Sequence, residues 1–166
     1  MFFSRSNIVH TEVIELQATP EQVREFIMTP ERILDYYPDP LEGGIIEPGV
    51  SFYCCGKAGV SLLEIIPSES NEKLIVLKVT TATNMRPPYT EERIKSAKFF
   101  TMIEHWQLKE TTMGTSLTKS WRNIHKYKMK FLPMGFIVRK SARAETRKLK
   151  AAWEKLAKAK SGETTE

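Results

Sequence analysis

The chain has 166 residues, of which 41% are hydrophobic and 27% charged, a composition typical of one globular domain. No apolar run approaches the roughly 18 residues of a transmembrane helix, and no signal-peptide pattern opens the chain, so we expect a cytoplasmic protein. The two cysteines, Cys54 and Cys55, are adjacent, and the sequence has no Cys-x-x-Cys pair. This pattern argues against a disulfide or a structural zinc site, and we expect neither a metal nor a cofactor.

The net charge of +5 is concentrated near the C-terminus. The segment from Ile137 to Lys160 carries nine Lys or Arg residues and two Glu residues. A solvated helix face accounts for this pattern, although the face could also meet an anionic membrane surface transiently or an acidic protein partner. There is no DNA-reading motif and no basic groove rich in aromatic residues, so we expect no nucleic-acid partner. The sequence does not indicate an oligomeric state.

The first elements are a strand and two short helices. Ile8 to Gln17 is rich in β-branched residues, which favours a strand. Thr19-Pro20 then repeats as Thr29-Pro30, and each pair has the N-cap and first-position proline of a helix start. The repeat therefore predicts two short helices with a kink between them.

Short apolar segments separated by turn residues follow and predict an antiparallel meander. The expected strands are residues 45–47, 50–55, 60–66, 74–83, 99–109 and 115–124. Residues 84–98 interrupt this rhythm with a polar, proline-containing stretch, for which we expect a lid or a surface loop with one helical turn.

The last element is a long amphipathic helix. Its apolar positions recur at helical spacing, although Glu145 and Thr146 interrupt the stripe. These positions are Val138, Ala142, Leu149, Ala152, Trp153 and Leu156. We therefore predict an α+β fold in which a curved, seven-stranded antiparallel sheet grips the long C-terminal helix. One domain should span residues 1–160, with a disordered tail at 161–166.

Four stretches carry a resemblance to a known superfamily: IELQATPEQVREFI (14–27), GGIIEPGVSF (43–52), LLEIIPSESNEKLIVLKV (62–79) and HWQLKETTMGTSLTKSW (105–121). With the basic helix that follows, their arrangement resembles the START-like, birch-pollen-allergen-like superfamily with the helix-grip fold, which includes polyketide cyclase and aromatase-like proteins. The resemblance implies a cavity between sheet and helix that binds an apolar small molecule or lipid. It does not imply catalysis, because members range from carriers to cyclases.

Strand alternation predicts the walls of such a site. One strand presents Phe100, Met102, Glu104 and Trp106 on a common face, and the partner strand presents a second set. That set is Leu117, Lys119, Trp121 and Asn123. If this face points inward, Glu104 needs a buried partner, for which Lys119 and Asn123 are the candidates. Alternatively, Glu104 reaches water at a strand end and the tryptophans are solid core.

Two further regions complete the predicted ligand site. Tyr36 and Tyr37 end the second short helix at the expected cavity mouth, where one hydroxyl could line the pocket or both rings could pack as a staple. Leu149 and Trp153 would contribute the wall formed by the long helix. Three functions are consistent with this site: a non-catalytic carrier or sensor, a cyclase, dehydratase or aromatase that uses Glu104 or a tyrosine, and a partner-binding module that uses the basic helix.

Overall fold

A computed structural model describes residues 7–37 and 40–162. The strands are β1 Ile8–Leu16, β2 Pro40–Glu47, β3 Ser51–Gly56, β4 Gly59–Ile65, β5 Leu74–Ala82, β6 Lys98–Thr111 and β7 Gly114–Lys126. The helices are α1 Pro20–Met28, α2 Pro30–Tyr36, α3 Glu91–Ser96 and α4 Met134–Gly162. Of the predicted disordered tail, residues 161–162 instead belong to α4, and residues 163–166 lie outside the described residues.

The Thr-Pro repeat does start two helices, but its two threonines act differently. Thr19 caps α1 in a complete capping box, in which its hydroxyl accepts from the Gln22 N–H and the Gln22 side chain accepts from the Thr19 N–H. Thr29 makes no such bond at the start of α2, and its hydroxyl instead donates to the Glu25 carbonyl at 2.7 Å. The expectation of a second side-chain cap was therefore wrong.

The seven strands form one antiparallel sheet in the order β1-β7-β6-β5-β4-β3-β2. Strands β2 to β7 form a meander, while β1 crosses to pair with β7. Register shifts interrupt several ladders, including the β6–β7 ladder between Thr101 and Ile103. Such irregularities bend and twist strands, which helps a sheet to wrap around a helix.

Helix α4 packs on the inner face of this sheet through its apolar stripe. Val138, Ala142 and Leu149 are buried there, and α1 and α2 close one end of the same core with Phe26 and Ile33. The predicted helix-grip arrangement is thus confirmed. Glu145 and Thr146, which interrupt the stripe, are buried with it rather than turned to solvent.

The outer face of the sheet is covered by the segment between β5 and β6. Ile94 of α3 is buried against Val60, Leu62 and Ala82, which point away from α4. The helical turn expected in residues 84–98 is present, but this segment lies on the face of the sheet opposite the gripped helix. It is therefore placed as an outer cover rather than as a lid on the inner face.

The adjacent cysteines follow strand alternation. Cys54 belongs to the inner core and Cys55 to the outer cluster, and both are free thiols. Burial raises the pKa of the Cys54 thiol to about 12, which keeps it protonated and unreactive at neutral pH. None of the helices within residues 7–37 and 40–162 is both long and apolar enough to cross a membrane.

Candidate functional site

A cavity of about 280 Å³ lies between the inner face of the sheet and the first half of α4. The walls contributed by strands β4 to β7 are Ser61, Leu63, Val79, Thr81, Phe100, Met102, Glu104 and Trp121. The opposite wall is Ile137, Val138, Ser141, Ala142 and Glu145 of α4, and Tyr37 and the β3–β4 turn at residues 56–59 complete the lining. Most of the walls are apolar, while the carboxyls, the hydroxyls and Lys57 form a polar minority.

From the two strand faces predicted for the site, Phe100, Met102, Glu104 and Trp121 line this cavity. Glu104 lies directly opposite Trp121 in the β6–β7 ladder, and Trp106 lies opposite Lys119. Glu104 is buried, so the alternative in which it reaches water at a strand end does not apply. The face predicted to point inward does so from Phe100 to Trp106.

Lys119 is a fully buried cation beside the cavity, with a relative exposure of 0%. Its ammonium donates to the Glu145 carboxylate of α4 and lies 4.0 Å from Glu104 Oε2. The same ammonium lies 4.1 Å from the centroid of the Trp106 ring and 5.3 Å from that of Trp121. Two carboxyls and two indole faces thus replace the water that a lysine ammonium requires.

The Glu104 carboxyl has a pKa that its surroundings shift. Burial raises its pKa to about 7, while the charge of Lys119 opposes the rise and that of Glu145 adds to it. The indole N–H of Trp106 donates to Glu104 Oε2 at 2.8 Å and fixes the carboxyl in place. At neutral pH the group can therefore either donate or accept a proton at the cavity wall.

A chain of hydroxyls forms a second polar part of the cavity lining. Tyr37 donates to Ser61 Oγ at 2.6 Å, and Ser61 and Thr81 share a hydrogen bond of 2.9 Å. Burial raises the pKa of Tyr37 well above its usual range, so this phenol is a neutral donor. Of the two tyrosines considered, Tyr37 lines the cavity, whereas Tyr36 is buried beneath it and donates to the Ile27 carbonyl at 2.9 Å.

Tyr36, Trp106 and Lys119 form a layer behind the cavity rather than its surface. The Tyr36 ring centroid is 5.6 Å from the Lys119 ammonium, so it contributes to the same aromatic enclosure. Trp106 and Lys119 can affect a ligand through the carboxyls that they contact, Glu104 and Glu145.

Three other predicted residues lie away from the cavity. Asn123 is exposed because β7 changes register beyond Trp121, and the Asn123 backbone has a φ of 51°. Its side chain accepts from the Asn7 N–H at 3.0 Å, so it is not the partner of Glu104. Leu149 is solid core, and Trp153 packs edge-on against Phe26 with centroids 5.3 Å apart.

The sequence analysis did not place Glu145 in the site, although the position of Glu145 within the apolar stripe of α4 was a signal for it. A carboxylate in the middle of an apolar helix stripe must be buried with that stripe, and a buried carboxylate requires a cation. Ser61 and Thr81 could have been found by alternation, because each lies two residues from an inward-facing apolar residue on its strand. Within the described ranges, no group of three or more His, Cys, Asp or Glu side chains is placed to hold a metal ion.

Comparison with known proteins finds similarity in structure but not in sequence. No family model matches the chain, and no curated protein sequence matches it significantly. A conserved protein from Geobacillus kaustophilus is similar with a TM-score of 0.64 at 14% identity, over 87% of this chain and 94% of that one. An Arthrobacter aurescens protein gives a TM-score of 0.64 at 12% identity, over 87% and 85% of the two chains.

A Mesorhizobium loti protein aligns over 88% of this chain and 98% of its own, with a TM-score of 0.58 and 15% identity. At such identities the likeness shows the fold alone. The alignments cover nearly the full length of each chain, so the whole arrangement of sheet and helix recurs as one unit.

Proposed function

We propose that the protein binds a hydrophobic small molecule or lipid in the cavity between the sheet and α4, as a carrier or sensor. The observation that carries the proposal is the cavity itself, which α4 leaves unfilled although its stripe is otherwise packed on the sheet. Ligand pockets are typically about 300–1,000 Å³ and mostly apolar with a few polar groups, and a cavity of about 280 Å³ lies just below that range.

The distribution of polar groups on the cavity walls indicates what kind of ligand would fit. Phe100, Met102 and Val138 provide an apolar enclosure, while Glu104 and the Tyr37 hydroxyl chain lie on the walls. A compact apolar body with one or two hydrogen-bonding groups fits these walls. Membership of the START-like superfamily, and a cytoplasmic location, belong to the same proposal and are supported by the sequence pattern and the fold.

A probe titration tests this proposal. We expect an apolar fluorescent probe to bind with roughly micromolar affinity, about −8 kcal/mol, and to quench Trp121 in the cavity wall. Ala142→Leu places a larger side chain in the cavity and should weaken binding of the probe. Ala151→Leu, at an exposed position of the same helix, is the matched control and should bind as the parent does. Absence of binding to the parent, or equal affinity in both variants, would contradict a ligand cavity.

A second candidate function is acid–base catalysis, of the cyclase, dehydratase or aromatase type. The specific observation in its favour is that Glu104 faces the cavity with a pKa raised to about 7, where a general acid or base operates best. Mass spectrometry of polyketide-like β-keto thioesters incubated with the protein would detect cyclisation or loss of water. Product formed by the parent and abolished by Glu104→Gln, with probe affinity retained, would favour the enzyme over the carrier.

A further inference from the structure

The segment that links β7 to α4 exposes an unusual concentration of apolar side chains. The described residues include eleven large hydrophobic side chains that are exposed, and five of them lie between residues 127 and 137. These five are Tyr127, Met129, Phe131, Phe136 and Ile137, which we call the apolar ridge. Phe131 is 80% exposed and Phe136 is 68% exposed, a costly arrangement for two phenylalanines in water.

The local backbone structure keeps the side chains of the ridge exposed to solvent. Met129 adopts a φ of 48°, and the Leu132 N–H donates to the Met129 carbonyl at 2.9 Å, which closes a tight turn. The Lys126 ammonium bonds the carbonyls of Lys130 and Leu132 inside this turn. Leu132 itself packs into the core. The turn is thus anchored from within, while its neighbouring apolar side chains point outward.

The charged residues of the segment that carries the ridge are all of one sign. Residues 126–140 contain five Lys or Arg residues and no Asp or Glu. Lys128, Lys130 and Lys140 are exposed. Aromatic and aliphatic side chains flanked by cations are the composition that favours insertion at the interface of an anionic bilayer, where the side chains enter the acyl boundary and the cations meet phosphate.

The position of the ridge also suits a membrane. Ile137 belongs both to the ridge and to the wall of the cavity. The ridge therefore borders the cavity on the α4 side. A bilayer in contact with the ridge would lie beside the cavity, so that an apolar molecule could pass between them with little exposure to water.

We propose that the apolar ridge and its flanking lysines form a docking surface for an anionic lipid bilayer. Insertion of Phe131 and Phe136 supplies the apolar contribution, and Lys128 and Lys130 supply the attraction to lipid phosphate. This docking does not depend on the cavity having a ligand, and it goes beyond the proposed binding function by naming the surface at which the protein works.

Vesicle co-sedimentation of the full chain tests the proposal. The parent should bind vesicles that contain phosphatidylglycerol in phosphatidylcholine, and should bind pure phosphatidylcholine much more weakly. Lys128→Glu/Lys130→Glu should weaken binding by roughly thirtyfold or more, since each cation near an anionic surface contributes about fivefold. The matched control is Lys73→Glu/Lys109→Glu, which reverses two exposed lysines near the opposite ends of the strands and should stay close to the parent.

The apolar contribution has its own pair of variants. Phe131→Ser/Phe136→Ser should reduce vesicle affinity at least about tenfold, because two aromatic side chains no longer enter the bilayer. Met113→Ser, at an apolar residue that is 73% exposed in the β6–β7 turn, should not reduce it. All these positions are exposed, so the variants should fold, and circular dichroism checks that they do.

Three results would overturn the proposal: no binding of the parent to anionic vesicles, equal loss in the ridge and control variants, or self-association of the parent that the Phe131→Ser/Phe136→Ser variant abolishes. The last result would assign the ridge to an interface between copies of the chain. The apolar fluorescent probe should bind the Phe131→Ser/Phe136→Ser variant in solution with the same affinity as the parent. Failure of vesicle docking is therefore distinguishable from failure of the ligand cavity.

Discussion

Replacing Glu104 by Gln should remove a pH dependence from the stability of the protein. In the folded chain the pKa of Glu104 is raised from 4.5 to about 7 by burial. Between these two values the folded protein holds a proton that the unfolded chain has lost, so the free energy of unfolding falls as the pH rises. Each pH unit in this window costs about 1.4 kcal/mol, which gives a total of about 3 kcal/mol.

Urea unfolding of the parent and of Glu104→Gln, at pH values from 4 to 8, measures this effect. Gln keeps an acceptor for the Trp106 N–H but carries no titratable proton. The stability of the parent minus that of the variant should fall by about 3 kcal/mol between pH 4.5 and pH 7 and then level off. Glu110→Gln, an exposed position of the same strand, is the control and should follow the parent. A difference that stays constant across the range would refute the reasoning, because Glu104 would then ionise as readily in the fold as in water.

Thr19→Ala should cost about 1 kcal/mol through the lost side-chain cap, while Thr29→Ala should cost less than about 0.5 kcal/mol, since the Thr29 hydroxyl makes no capping bond to an N–H of α2; urea unfolding of both variants measures the contrast. Lys119→Met should cost about 3–5 kcal/mol because it leaves the Glu145 carboxylate buried without a cation, and adding Glu145→Leu should restore most of that loss. A double variant no more stable than the single one would disprove the pairing. Trp153→Ala should cost about 2–3 kcal/mol, below the roughly 3–5 kcal/mol of a fully buried aromatic; a silent change in calorimetry would mean that this half of α4 does not pack on the core.

The inner face of the sheet could be predicted because strand geometry is regular over short distances. Side chains alternate every two residues, so one inward-facing tryptophan fixes the orientation of Glu104 and Met102 on the same strand. The same regularity places Cys54 and Cys55 on opposite faces of the sheet. Neither inference needed knowledge of distant contacts.

The same alternation failed for Asn123, where the regularity ends. The β6–β7 ladder shifts register near Arg122, and the positive φ of Asn123 turns its side chain out to the Asn7 backbone. A bulge of this kind leaves little trace in a single sequence, since Asn tolerates left-handed backbone in turns as well as in strands. Of the two candidate partners of Glu104, Lys119 lies beside it and Asn123 does not.

The remaining misses concern contacts between elements far apart in the chain. Glu145 meets Lys119 only because α4 crosses the sheet at one particular height, which periodicity does not specify. The segment 84–98 likewise could cover either face of the sheet, and burial of Ile94 on the outer face decides it. Sequence patterns predicted these elements, whereas their relative placement depends on packing of the whole core.

The pairing of the first strand with the last has a consequence for how the chain is made. Ile14 pairs with Leu117, so β1 cannot join the sheet until β7 has been synthesised, roughly a hundred residues later at about 5–20 residues per second. The meander from β2 to β6 can assemble on the ribosome in the meantime, but β1 must wait unpaired with its ladder groups exposed. We therefore expect synthesis of the last third of the chain to limit folding during translation. A chaperone that acts on this protein during synthesis should bind the unpaired strand β1.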